Sequence, residues 1–259
     1  MIYVGVGGWV YEPWRNNFYP SGLPQKRELE YASTHLTAIE INGTYYGSQK
    51  PESFRKWREG TPDGFVFSLK GPRFATNRRV LAESGDSITR FFDSGVTELK
   101  EKLGPVNWQF MATKKFDAAD FAAFLELLPR KVDGQAIRHV VEVRHDSFRD
   151  KAFIDLCRKQ DVGIVFAADS EFPLIADVTT DFVYARIMGT EAKEKLGYPA
   201  AMLKTWAERA WDWEKGNSPK PSMLLAPPAP KKKRDVFLFV ISGAKEKNPA
   251  AAQGIIARL

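Results

Sequence analysis

Eight short runs rich in apolar, β-branched and aromatic residues recur along the chain, and no other feature limits its fold as much. They are YVGVGGW (3–9), AIEIN (38–42), FVFSLK (65–70), NWQFMA (107–112), HVVEVRH (139–145), GIVFAAD (163–169), FVYARIMG (182–189) and VFLFVISG (236–243). Several are apolar at nearly every position, as in strands covered on both faces of a parallel sheet. Most of the gaps can hold a helix. LEYASTHL precedes the second run and PESFRKWREG the third. FDAADFAAFLELLP sets Phe121, Phe124, Leu125 and Leu128 at helical spacing. AFIDLCRKQ does so with Phe153, Leu156 and Cys157, and AMLKTWAERAWDWEKG with Met202, Trp206, Ala210 and Trp213. Strands alternating with helices imply right-handed βαβ units. Eight such units in 259 residues predict a single-domain α/β fold, a TIM-type (β/α)8 barrel over 1–259. A doubly wound open sheet is the main alternative. It usually carries a glycine-rich phosphate loop after its first strand, and GVGGW is not GxGxxG.

Polar residues fall late in these runs. Alternate residues of a strand share a face. That groups Glu40 with Ala38 and Asn42, Lys70 with Val66 and Ser68, and Glu142 with Val140 and Arg144. It also groups Asp169 with Val165 and Ala167, Arg186 with Tyr184 and Met188, and Ser242 with Val240; Gln109 is the matching polar residue of the fourth run. Glu40 sits between Ile39 and Ile41, where a carboxylate needs a partner, a role or solvent. In a barrel this face points inward near the C-terminal mouth, where barrel enzymes hold their sites. Glu40, Glu142 and Asp169 would then meet Lys70, Arg144 and Arg186. The six form either a working pocket or a balanced ion-pair plug.

Read as a pocket, the set divides by chemistry. Arg144, Arg186 and Arg73 can hold an anion, since guanidinium matches phosphate or carboxylate bidentately. Glu142 is the candidate general base, its pKa raised by neighbouring acids in a dry mouth. Lys70 is a candidate acid or electrostatic catalyst. A Schiff-base role would need a depressed pKa, which nearby carboxylates oppose. Glu40, Asp169 and His145 complete the catalytic candidates. Asn42, Thr44, Tyr46 and Trp9, with Trp14 and Tyr45, would form a polar and stacking wall.

Composition narrows the partners. The net charge is +6 and the pI about 9.2, which fits a small anionic ligand or nucleic acid. Only His35, His139 and His145 are available as imidazole ligands, and there is no HExxH, CxxC or clustered DxD. A dedicated transition-metal site is not expected; no cofactor is called for beyond a single Mg²⁺ that carboxylates could hold. No apolar run reaches the ~20 residues of a membrane span. The N-terminus lacks a secretory pattern, and the single Cys157 cannot form an internal disulfide, so a cytoplasmic location is expected. GNSPKPSMLLAPPAPKKKR (216–234) carries five prolines and ends in KKKR. It reads as an exposed connector, with a mobile basic lid or nucleic-acid contact as the functional alternative.

GVGGW, WRNNFYP, EINGTYYG, FSLKGPR, VEVRH and FVYARIMG occur in this order across the chain. The ordered set resembles the YecE-like family, a domain of unknown function (number 72). The resemblance implies a TIM-barrel-like fold and, by analogy of fold, kinship with endonuclease IV-like and sugar-isomerase-like barrels. It implies no established activity. Two departures stand out. The family commonly has His in a YxRxHG stretch, where this chain has Met188. It commonly has an Asn-Asn-Asp stretch after the eighth strand, where this chain reads FVISGAKEKNPAAA. Three functions follow as expectations: an enzyme of a small anionic, sugar-like substrate; a nucleic-acid-binding protein or endonuclease IV-like nuclease; and a non-catalytic ligand-binding barrel.

Overall fold

The eight runs pair in chain order. A computed structural model describes residues 1–259. Its strands are β1 (Ile2–Gly7), β2 (Ala38–Ile41), β3 (Val66–Lys70), β4 (Leu103–Gln109), β5 (His139–Glu142), β6 (Gly163–Ala168), β7 (Phe182–Ile187) and β8 (Asp235–Val240). Each pairs in parallel with its sequence neighbours, and β8 returns to β1 to close the barrel. The helices are α1 (Glu28–His35), α2 (Gly43–Tyr46), α3 (Pro51–Glu59), α4 (Arg73–Thr76), α5 (Gly85–Asp93), α6 (Ala118–Glu126), α7 (Lys151–Lys159), α8 (Ala200–Glu214) and α9 (Asn248–Ile256). No helix is long and apolar enough to cross a membrane.

Alternation splits each strand between two cores. Val4, Val6, Ile39, Ile41, Phe67, Leu69 and Trp108 face the helices. Tyr3, Val66, Val140, Phe182 and Phe237 fill the barrel's interior. Gly5 is fixed by closure: a Cβ there would lie 1.8 Å from the Ala38 carbonyl oxygen, so a side chain would force β1 and β2 apart.

Several boundaries differ from expectation. β4 starts at Leu103, not 107, because Gly104 and Pro105 mark an irregularity inside the strand rather than a turn before it. Opposite β3 the register steps from Phe67↔Leu103 to Leu69↔Val106, one extra residue on β4, which is where a strand tolerates proline. β5 stops at Glu142 and β1 at Gly7. The segments of α5 and α9 had no predicted helix. α5 buries Ile88, Phe91 and Phe92, each contributing about 1.5–3 kcal/mol. No helix joins β6 to β7. On β8 the expected parity is reversed: Phe237, Phe239 and Ile241 point inward, while Val240 packs outside. Every residue of VFLFVI is apolar, so alternation left no mark, and Ser242 was a false guide.

The proline-rich loop does not reach the mouth. It feeds the N-terminal end of β8, opposite the C-terminal strand ends. It is also tied down. Asp177 accepts the Leu225 and Ala226 N–H groups at 2.9 and 3.0 Å, and Arg158 donates to the Pro227 carbonyl at 2.8 Å. Of the KKKR run, three lysines are exposed and Arg234 is buried. A lid over the barrel mouth is not what this segment forms.

Candidate functional site

Glu40 stands level with Gly7 of β1 and Ser68 of β3, fully buried. A lone carboxylate at that depth would cost several kcal/mol, and its oxygens are in fact fully occupied. Oε1 accepts from Arg186 Nη2 at 3.1 Å and lies 3.9 Å from Lys70 Nζ. Oε2 accepts from the Tyr184 hydroxyl at 2.6 Å and from Asn107 Nδ2 at 3.4 Å. Glu142 mirrors it across the barrel. Its Oε2 accepts from Arg186 Nη1 at 2.5 Å and Asn107 Nδ2 at 3.2 Å. Its Oε1 accepts from Arg144 Nε at 2.8 Å and Nη2 at 2.6 Å. One guanidinium and one amide therefore bridge both carboxylates.

Burial and charge oppose each other at these groups. Burial pushes the Glu142 carboxyl up, but Arg186, Arg144 and Lys70 more than reverse this and hold it at about 2. Burial likewise works against the Arg186 cation, yet Glu142 and Glu40 raise its pKa. Burial pushes Lys70 down and Arg186 adds to it. Glu40 and Glu142 only partly resist, leaving Lys70 at about 8. Two sequence expectations are thereby corrected. The Glu142 carboxyl is lowered by its cations rather than raised by neighbouring acids, and the carboxylates do not keep Lys70 at its ordinary value. Lys70 donates to Gln109 Oε1 at 3.2 Å and lies 5.7 Å from the centre of the Tyr45 ring. Arg144 lies 4.2 Å from the Phe172 ring centre.

Five of the six expected ionisable groups converge, and Asp169 does not. It lies one residue past β6 with φ +54°, is exposed, and accepts from the Tyr198 hydroxyl at 2.9 Å. His145 caps a short turn over 146–148, where its Nδ1 accepts from the Ser147 N–H at 3.1 Å. Trp9 packs outside the barrel, edge-on to Trp57 at 5.3 Å and Phe67 at 6.4 Å. Thr44 spends its proton on the backbone, donating to the Lys70 carbonyl at 2.7 Å. Asn42 lies at the mouth against Gly7. Tyr46 and Arg73 lie farther out, 5.8 Å apart from ring centre to guanidinium, and both are exposed. Met188, where a His was expected from the family pattern, is buried in the interior apolar layer.

Three members were missed as site residues. Tyr184 reads as interior packing, although it shares a face with Arg186. Asn107 lies two residues before Gln109, so the parity that marked one marks both. Ser68 donates to the Pro105 carbonyl and meets the Tyr184 hydroxyl, both at 2.7 Å. Arg186 Nε, Asn107 Oδ1 and Gln109 Nε2 are buried without a partner. None of the four cavities of about 600 Å³ and more is lined by Glu40, Lys70, Glu142, Arg144 or Arg186; they lie beyond the barrel wall or at the N-terminal face. Arg144 and the tip of Lys70 are the parts that reach solvent, with side-chain exposures of 24% and 10%. No group of three or more His, Cys, Asp or Glu side chains is placed to hold a metal ion.

Eight parallel strands around a buried cation–carboxylate cluster define a (β/α)8 barrel whose polar residues gather at its C-terminal end. Within that class, the chain belongs to the DUF72 family, described as proteins of unknown function, whose model matches residues 3–259. It is 31% identical over 151 residues to the UPF0759 protein YecE of Escherichia coli (strain K12), a match covering 57% of this chain and 50% of that protein. It is 28% identical over 115 residues to the UPF0759 protein YunF of Bacillus subtilis (strain 168), covering 42% of this chain and 40% of that one. The chain thus matches about half the length of the first of these relatives and less of the second. The crystal structure of a DUF72 family protein (TM1631) from Thermotoga maritima superposes with a TM-score of 0.74 at 22% identity, covering 99% and 98% of the two chains. At these identities the structural likeness speaks for the fold alone.

Proposed function

We propose that the chain is an enzyme acting on a small carboxylated or phosphorylated substrate at the C-terminal mouth of its barrel. Lys70 is its proton-transfer group and Arg144 its anchor for the anion. The observation that carries this reading is the charge count of the cluster: two carboxylates face three cations. Arg186 satisfies both acids and Arg144 is bidentate on one of them, so Lys70 is the surplus charge. It holds one hydrogen bond and a long approach to Glu40. An ammonium at about 8 is a competent acid and base near neutral pH, and an arriving anion would complete its partners. A structural plug would have no use for an unbalanced lysine at the solvent edge.

The test is turnover of a panel of phosphorylated and carboxylated sugars by the parent and by Lys70→Met. The parent rate should rise with pH up to about 8 as Lys70 becomes the free base. The variant should lose ~100-fold or more. The same variant should be no less stable than the parent in denaturant, because burial works against this charge. Unchanged turnover in Lys70→Met sinks the assignment. Saturable binding by the parent without turnover would leave a ligand-binding barrel in its place.

A further inference from the structure

Beside the C-terminal ends of β2 and β3, outside the barrel wall, a cavity of about 620 Å³ opens between the α2–α3 connection, α4 and α5. Three guanidinium groups line it, those of Arg73, Arg78 and Arg90, and no carboxylate does. Arg27, Arg55 and Arg58 are each paired with a glutamate. These three form no ion pair, and Arg90 reaches only the Asp86 carbonyl at 3.1 Å. The other polar lining includes the Gln49 and Asn77 amides and the Ser87 hydroxyl.

Two buried groups here lack partners. Ser87 is 6% exposed, and its Oγ has no hydrogen bond. Arg78 Nε is buried and equally unpaired. Each such group carries a desolvation cost that no hydrogen bond offsets. Three like charges around one cavity add repulsion. A ligand rich in acceptor oxygens would relieve both. Guanidiniums are donor-only and fit the acceptor-only oxygens of phosphate bidentately. The volume lies in the ~300–1,000 Å³ range of small-molecule sites. Arg73 is steadied by the Phe74 and Tyr46 rings, at 5.4 and 5.8 Å from its guanidinium carbon. Phe74 is 59% exposed and offers an apolar face for the rest of the molecule.

The geometry points to a second, separate site: this acid-free cavity binds the phosphate group of a small phosphorylated molecule through Arg73, Arg78, Arg90 and Ser87. It does not depend on Lys70 acting in catalysis. It abuts the strand that carries Lys70, since Thr44 lines the cavity and its hydroxyl holds the Lys70 carbonyl.

Calorimetric titration with pyrophosphate at low salt tests it, on the parent and on Arg73→Ala, Arg90→Ala, Ser87→Ala and Arg27→Ala. Arg73 and Arg90 are exposed, so their replacement should leave the fold intact. Saturable binding is expected in the parent, weakened about tenfold or more by either arginine variant. Ser87→Ala should weaken binding while melting no lower than the parent, because it removes an unpartnered hydroxyl. Arg27→Ala, at an exposed arginine away from both sites, should bind as the parent does. The proposal is overturned if the parent shows no saturable binding up to ~10 mM, or if Arg73→Ala and Arg90→Ala bind unchanged. It is overturned equally if Arg27→Ala weakens binding as much as Arg73→Ala and Arg90→Ala do, which would reduce the effect to general surface charge.

Discussion

Arg186→Met is expected to lose on the order of 3–5 kcal/mol of stability, the cost of breaking a buried ion pair from one side. The guanidinium donates to both Glu40 and Glu142 and is 2% exposed. Methionine fills part of its volume but leaves two carboxylates facing each other across the interior. Only Asn107, Tyr184, Arg144 and Lys70 would remain to hold them. Glu142 should then titrate well above its present value, because burial would keep pushing its pKa up with one fewer cation to oppose it. Adding Glu142→Gln to Arg186→Met should recover part of the loss, since the uncompensated charge is what makes the single change expensive. Denaturant unfolding of the parent and both variants decides this. A loss below ~1 kcal/mol for Arg186→Met would mean that water reaches the cluster and that its charges are not sealed. Lys70→Met should differ in sign, which separates the group that holds the cluster together from the one it holds in tension.

Acid should destabilise the protein in two stages. His139 lies outside the barrel's interior, buried against Trp108. Trp108 Nε1 donates to its Nδ1 at 3.1 Å, which leaves Nε2 to donate to the Pro129 carbonyl at 2.8 Å. Burial pushes its pKa from 6.5 down to about 4, against that carbonyl bond. The unfolded chain therefore binds a proton between those values that the folded chain refuses, and stability falls as pH drops from 6.5 to about 4. Glu142 follows. Its stabilising contribution is present above the ordinary value of 4.5 and is lost as pH falls toward about 2. Each shift corresponds to roughly 3 kcal/mol when fully expressed. Unfolding free energy measured against pH should slope upward from about pH 4 to 6.5 in the parent. His139→Gln, which cannot titrate, should flatten that part and keep the lower one. If the upper slope survives in His139→Gln, another group is responsible.

The barrel was legible because its strands are apolar at most positions on both faces and its helices on one face only, a contrast of period that single residues cannot blur. The inward charged face was legible for a related reason: Glu40, Glu142 and Arg186 each interrupt an apolar strand. Where the strand carried no interruption, as in β8, direction could not be read. Asp169 was misplaced because sharing a face holds only while the backbone stays extended, and the chain turns left-handed at that residue. The pKa values of Lys70 and Glu142 were not legible at all. They depend on how many cations share the space, and removing Asp169 from the cluster altered that balance. The cavity of Arg73, Arg78 and Arg90 escaped notice because its arginines belong to two short helices and the loop between them, where spacing along the chain says little about convergence.

The extra residue in β4 has a consequence for how this barrel could change. Leu103 and Val106 are an odd number of positions apart, yet both face the helices. The bulge at Gly104–Pro105 lets the lower half of the strand keep its greasy outer edge while the upper half turns Asn107 and Gln109 toward the acids. A single-residue deletion there would force a choice between the two halves: the hydrocarbon seam at the base or the amides at the top. Length variation at this one position would thus act as a polarity selector, able to strip the mouth of its amides without touching any charged side chain.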